Sequence, residues 1–100
     1  MSKSKYHPMG FDVRLNDGRE IEIFASGRNR FGLEQLIKAG GTGITADQFA
    51  GVRVAAFVFN LRDMGIEIKS ITEQHGGIFA GTHSRYHLDC FVQPKGGRLL

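Results

Sequence analysis

Cysteine is nearly absent from this 100-residue chain. Its one cysteine, Cys90, excludes an intramolecular disulfide and a cysteine cage for zinc, and is consistent with a reducing compartment. Long apolar runs are missing too: no stretch approaches the roughly 20 apolar residues that cross a bilayer. Residues 1–8 are polar, unlike the apolar heart of a signal peptide. These absences predict a cytoplasmic protein with no membrane partner. Recognised nucleophile motifs are also lacking, and no catalytic role, metal or cofactor is expected.

A strong charge of one sign is missing from most of the chain. The formal net charge is +3, but Lys3, Lys5, Lys95 and Arg98 lie in two end segments that contain no acid. Thirteen basic residues less these four leave nine, against ten acidic ones, between Tyr6 and Val92. Because phosphate neutralisation supplies most non-specific DNA affinity, such a chain is predicted to bind DNA weakly or with help from its tails. A protein partner or a homodimer stays open beside duplex DNA.

What is present fits one domain, since a chain of this length has surface enough for a single core. Phe11, Val13 and Leu15 alternate with polar residues, as do Ile21 and Ile23, on either side of Asn16-Asp17-Gly18, which predicts a β-hairpin. Leu33, Leu36 and Ile37 recur at helical spacing over 30–39, with Gly40 beyond as a left-handed cap. Thr45 and Gln48 have capping-box spacing, and Ile44 can staple onto Phe49, which predicts a short second helix. Residues 52–64 carry Val54, Val58 and Leu61 as one stripe and predict a third helix, ended by Gly65.

Strands are predicted over 66–72 and 84–92, the second burying Tyr86, Leu88 and Cys90 and turning Arg85, His87 and Asp89 outward. Between them, 73–83 is a glycine-rich hairpin tip holding Ile78 and Phe79. Residues 1–8 and 93–100 are read as flexible tails around a domain spanning 9–92.

This order predicts an α+β winged helix-turn-helix, with three helices and a C-terminal wing hairpin, preceded by an extra N-terminal hairpin. The sequence from Leu33 to Leu88 also resembles winged-helix domain families of small bacterial and phage proteins. The elements that carry the resemblance are "LIKAGG", "GIT", "VRVAAFVFNLRDMG" and "SRYHL". The resemblance implies a DNA-binding module, such as a small transcriptional regulator, touching the major groove with helix 52–64 and the backbone with the wing, 73–85.

On helix 52–64, the face opposite Val54 and Leu61 carries Arg53, Ala56, Asn60 and Asp63. Arg53 can fork onto guanine and Asn60 can pair with adenine, unless this face is simply solvated. Arg28 and Arg30 open the first helix, where they either hold a phosphate or are solvated. In the wing, His83 and Arg85 share a direction with His87 and are candidates for backbone contact. Phe57 and Phe59 point to different sides of one helix, so one is expected to pack against the N-terminal hairpin or a second copy.

Two other constellations carry less. His83 and His87 span roughly 13 Å along a strand, too far to share one metal ion. Gly40-Gly41-Thr42-Gly43 lacks the lysine of a phosphate-binding loop and follows a helix, so it reads as a cap and turn.

Overall fold

The computed structural model describes residues 5–76, 81–96 and 98–100. Ile78 and Phe79, at the tip of the predicted wing, lie outside the described residues. The chain runs through β1 (Met9–Arg14), β2 (Glu20–Ala25), α1 (Gly27–Ala39), β3 (Ile44–Thr45), α2 (Val54–Asp63), β4 (Ile68–His75), β5 (Gly81–Leu88) and β6 (Phe91–Pro94). The strands form two antiparallel three-stranded sheets, β2-β1-β6 and β3-β5-β4.

The N-terminal hairpin forms where alternation predicts it. Phe11, Val13, Leu15, Ile23 and Ala25 are buried on one face, and Gly18 takes a positive φ of 91° in the turn. The turn is fastened to the base of the second sheet: the Asn16 amide donates to Glu67 Oε1 at 2.9 Å and its side chain donates to the Asp89 carbonyl at 2.6 Å. Against this sheet pack Leu33 and Leu36 of α1 and Val54, Phe57, Val58 and Leu61 of α2, in one hydrophobic cluster. The two helices meet closely at Gly32, where a methyl group would overlap the Phe57 ring. Phe57, 2% exposed, thus packs on α1, and Phe59 is left in solvent.

Two α-helices are present among the described residues where three were expected. The predicted second helix is a single 3₁₀ turn, Ala46–Gln48. Its capping box does form, with the Thr45 amide donating to Gln48 Oε1 at 2.8 Å. The box starts a turn that nothing prolongs: Phe49 leaves the helical region at φ −128°, and Gly51 reverses the chain at φ +77°. So few residues cannot offset the cost of nucleating an α-helix. The first helix starts three residues earlier than expected, at Gly27, and ends as expected at Ala39, capped by Gly40, whose amide reaches back to the Leu36 carbonyl.

The strand expected over 84–92 is two strands. It breaks at Asp89 and Cys90, where the Asp89 amide bonds the Glu67 carbonyl, and the chain then crosses to the other sheet as β6. There Val92 faces Val13 and Gln93 faces Asp12. Residues 93 and 94, read from sequence as the start of a tail, belong to this strand, and Leu99 packs against the core.

Candidate nucleic-acid interface

The burial of Val54, Phe57, Val58 and Leu61 fixes the rotation of α2. It turns Ala55, Ala56, Phe59, Asn60, Arg62 and Asp63 to solvent, with Phe59 71% exposed. Arg53 does not lie within the helix as expected from 52–64. It is the N-cap residue, with an extended backbone at φ −85° and ψ 92°. It is exposed, no side chain caps the helix, and no acidic residue occupies its first turn. The start of α2 therefore presents positive backbone polarity with a guanidinium beside it.

The start of α1 adjoins this face. Asn60 Nδ2 donates to Asn29 Oδ1 at 3.2 Å, tying the middle of one helix to the beginning of the other. Exposed Arg28 stands one residue before Asn29, and with Tyr6, Gly27, Phe31 and Val52 it lines a small hollow of about 160 Å³. Arg30 is elsewhere. Its Nε donates to Glu34 Oε2 at 2.6 Å, its Nη1 donates to the His7 carbonyl at 2.9 Å, and the residue is 7% exposed. One helical turn separates Arg30 from Glu34, and Glu34 is fully buried, so the guanidinium is drawn inward instead of reaching for phosphate.

In the wing, β4 and β5 pair so that Glu73 faces His83 and Ile71 faces Arg85. Glu73 binds both cationic side chains: its Oε1 lies 2.9 Å from His83 Nε2, and its Oε2 accepts from Arg85 Nε at 2.8 Å. The hydrogen bond from Arg85, joined by that from His83, holds the Glu73 carboxyl below its ordinary range, and the same contact raises Arg85. Arg85 Nη1 also donates to the Thr42 carbonyl at 3.2 Å, which braces the wing against the turn after α1. Nearby, the Thr45 hydroxyl donates to Asp47 and lowers its carboxyl, with the charges of His83 and Arg85 adding to the effect. His87 is half-buried with its ring against Gly43, and its Nε2 has no hydrogen-bond partner among the described residues.

The ion pairs sort the remaining charge by face. Arg14 pairs with Glu20, Arg19 with Asp17, Arg30 with Glu34, and Arg85 with Glu73. Lys95, assigned by sequence to a basic tail, lies 3.2 Å from Asp12 and 2.6 Å from Glu22, and both carboxylates raise its pKa. Arg62 turns back, donating from Nε and Nη2 to the Ile68 carbonyl. Among the described residues from β2 to β5, Arg28, Lys38, Arg53, Arg62 and Lys69 make no ion pair, and all five belong to the helical layer or the root of the wing; Lys5 and Arg98, near the two ends, make none either. The outer face of β2-β1-β6 is different: it carries Asp12, Glu20 and Glu22, with Arg14 and Lys95 held among them.

Sequence did not single out Asn29, and its bond to Asn60 could be found only once the helices were docked. Glu73 was also missed, although its place opposite His83 follows once the hairpin register is known. Burial raises the Cys90 thiol, and its Sγ lies 3.7 Å from the Glu67 carbonyl. Among the described residues, no group of three His, Cys, Asp or Glu side chains is arranged to hold a metal ion. No helix among them is long and apolar enough to cross a membrane.

A helix, a tight turn, a second helix and a β-hairpin backed by one short strand define the winged-helix class. The chain belongs to the winged helix domain family, whose model matches residues 22–98. That match begins within β2 and takes in β6, beyond the motifs running from Leu33 to Leu88, and leaves β1 before it. No curated protein and no solved structure matches the chain.

Proposed function

We propose that this domain is a DNA-binding module, suited to a small transcriptional regulator, and that α2 enters the major groove with Arg53 and Asn60 toward the bases. Winged-helix domains commonly bind in this way, and recognition helices use their N-terminal residues for base contact. The observation that carries the reading is the charge pattern: ion pairs neutralise most other arginines, while Arg28 and Arg53 stay exposed and unpaired beside Asn60. Arg28 suits a phosphate flanking the groove, and Arg53 suits a guanine edge or a phosphate at the start of α2. Arg85 and His83 contribute less, because Glu73 holds both. The role is binding, with no catalysis.

The reading is tested by fluorescence anisotropy of duplex DNA titrated with protein at about 50 mM salt and then at higher salt. Binding is expected to weaken with salt, and Arg53→Ala to cost about 1–3 kcal/mol if it contacts a base. Arg28→Ala is expected to shallow the salt slope by about one. No binding at low salt, or binding indifferent to both substitutions, rejects the reading.

A second surface supports protein contact. Phe24 and Phe91 are 65% and 59% exposed on the outer face of β2-β1-β6, away from α2. Exposed aromatic residues suit a self-pairing or partner surface, and such a dimer would leave the α2 face open. Sedimentation that finds only monomer at high concentration removes the self-pairing form.

A further inference from the structure

The exposed surface of α2 nearest its start is unusually apolar for a helix meant to lie against phosphate. Ala55 and Ala56 fill the first turn, and Phe59 follows one turn on, so the three form a continuous patch bordered by Arg53 and Asn60. Asp63 lies in the last turn, farther from the end of the helix that leads into the groove. Helical geometry puts Phe59 close to the middle of the outward face, with Ala55 and Ala56 on either side of it. Phe59 serves no packing purpose in the described structure, since it is 71% exposed while Phe57 fills the core.

The only apolar group that B-DNA presents in its major groove is the C5-methyl of thymine, and alanine and phenylalanine side chains are natural contacts for it. We infer that Ala55, Ala56 and Phe59 read thymine methyl groups, so that this domain selects thymine-containing steps next to the bases contacted by Arg53 and Asn60. The inference rests on the DNA-binding reading and adds to it the class of base that is selected. Small side chains at 55 and 56 let the helix approach the base edges closely, and Phe59 then covers a methyl from the side. Arg53 and Asn60 supply polar recognition on the flank that adjoins α1. The unpaired Arg28 and Arg53 favour nucleic acid over an apolar protein partner as the occupant of this patch, because their charge complements phosphate.

The test replaces thymine by uracil, which deletes the methyl and keeps the Watson–Crick edge. Duplexes of roughly 20 base pairs, about two helical turns, are enriched by the full chain from a random thymine-containing pool. They are then resynthesised with uracil and compared by anisotropy. Uracil is expected to weaken binding by roughly fourfold for each methyl contacted, the equivalent of about 0.8 kcal/mol per buried CH₂. Phe59→Ala is expected to keep its circular dichroism, since Phe59 contributes little to the core, and to bind the thymine duplex more weakly, so that its affinities for the two forms lie closer together.

Equal affinity of the wild type for thymine and uracil duplexes overturns the inference and leaves the DNA-binding reading standing. Full discrimination retained by Phe59→Ala overturns it in the same way. Binding to neither form at low salt fails the DNA-binding reading itself, and this inference with it.

Discussion

Arg30 shows how a residue's role depends on what covers it. The spacing of Arg30 and Glu34 permits an i,i+4 pair, but only the folded chain reveals that the pair is internal. Glu34 is fully buried on α1, on the side met by His7 and Leu100 rather than the side of Leu33 and Leu36, so its carboxyl must find its partners inside. It is met by Arg30 and by the Leu100 amide, which donates to Glu34 Oε1 at 2.5 Å, while Arg30 reaches the His7 carbonyl. The Arg30–Glu34 pair thereby fastens segments from both ends of the sequence to α1, the guanidinium holding His7 and the carboxylate Leu100, and those long-range partners were illegible in local pattern. Removing it would strand a buried guanidinium. Glu34→Ala is expected to lower stability by about 3–5 kcal/mol, read as a fall in the urea midpoint with an unchanged slope. A shift within experimental error would show that Arg30 escapes to solvent.

Among the secondary elements, the N-terminal hairpin was the most legible in the sequence, the wing was legible as a hairpin but not in its bounds, and the turn before α2 was the least legible. Alternation along 84–88 puts Tyr86 and Leu88 on one face and Arg85 and His87 on the other, but the expected contrast of buried and outward faces does not form, since all four are half-buried and His87 lies against Gly43. Glu73 escaped notice because it lay in what looked like a glycine-rich tip, whereas β4 continues to His75. The turn at Ala46–Gln48 misleads for the opposite reason: its capping signals are real, but a capping box marks the start of a turn and says nothing about its length.

The wing's pH response follows from Glu73. Its carboxyl is held below the ordinary glutamate range by Arg85 and then His83, so the folded state favours the ionised form. That stabilisation is present above the unfolded pKa and lost as pH falls through the folded one. Acidification below about pH 4 is therefore expected to loosen the root of the wing, seen as faster amide exchange in β4 and β5. Glu73→Gln should produce much of that loss at neutral pH. It should also raise DNA affinity, because Arg85 is released from its carboxylate. Unchanged exchange and affinity would mean that the pair is incidental.

Taken as a whole molecule, the domain has charge that counting cannot locate. A nearly neutral stretch from Tyr6 to Val92 argued for weak binding, yet pairing concentrates the unpaired cations around α1, α2 and the root of the wing. The fold class was legible because apolar periodicity and glycine punctuation act locally. The closure of β6 onto β1 was not, because it joins Asp12 to Gln93 across almost the entire sequence. That closure also converts Lys95 from a presumed tail cation into the bridge between Asp12 and Glu22. Of the residues proposed from sequence for DNA contact, Arg28, Arg53 and Asn60 come together on one exposed face. Arg30 is internal, and His83 and Arg85 are occupied by Glu73.

The most direct measurement is an NMR titration of the full chain with duplex DNA at low salt, following every backbone amide. The largest shifts are expected at the start of α1 and along α2, around Arg28, Arg53, Ala56 and Asn60, with smaller ones in the wing. Shifts confined to the outer face of β2-β1-β6, or none at all, would contradict an α2-centred DNA surface.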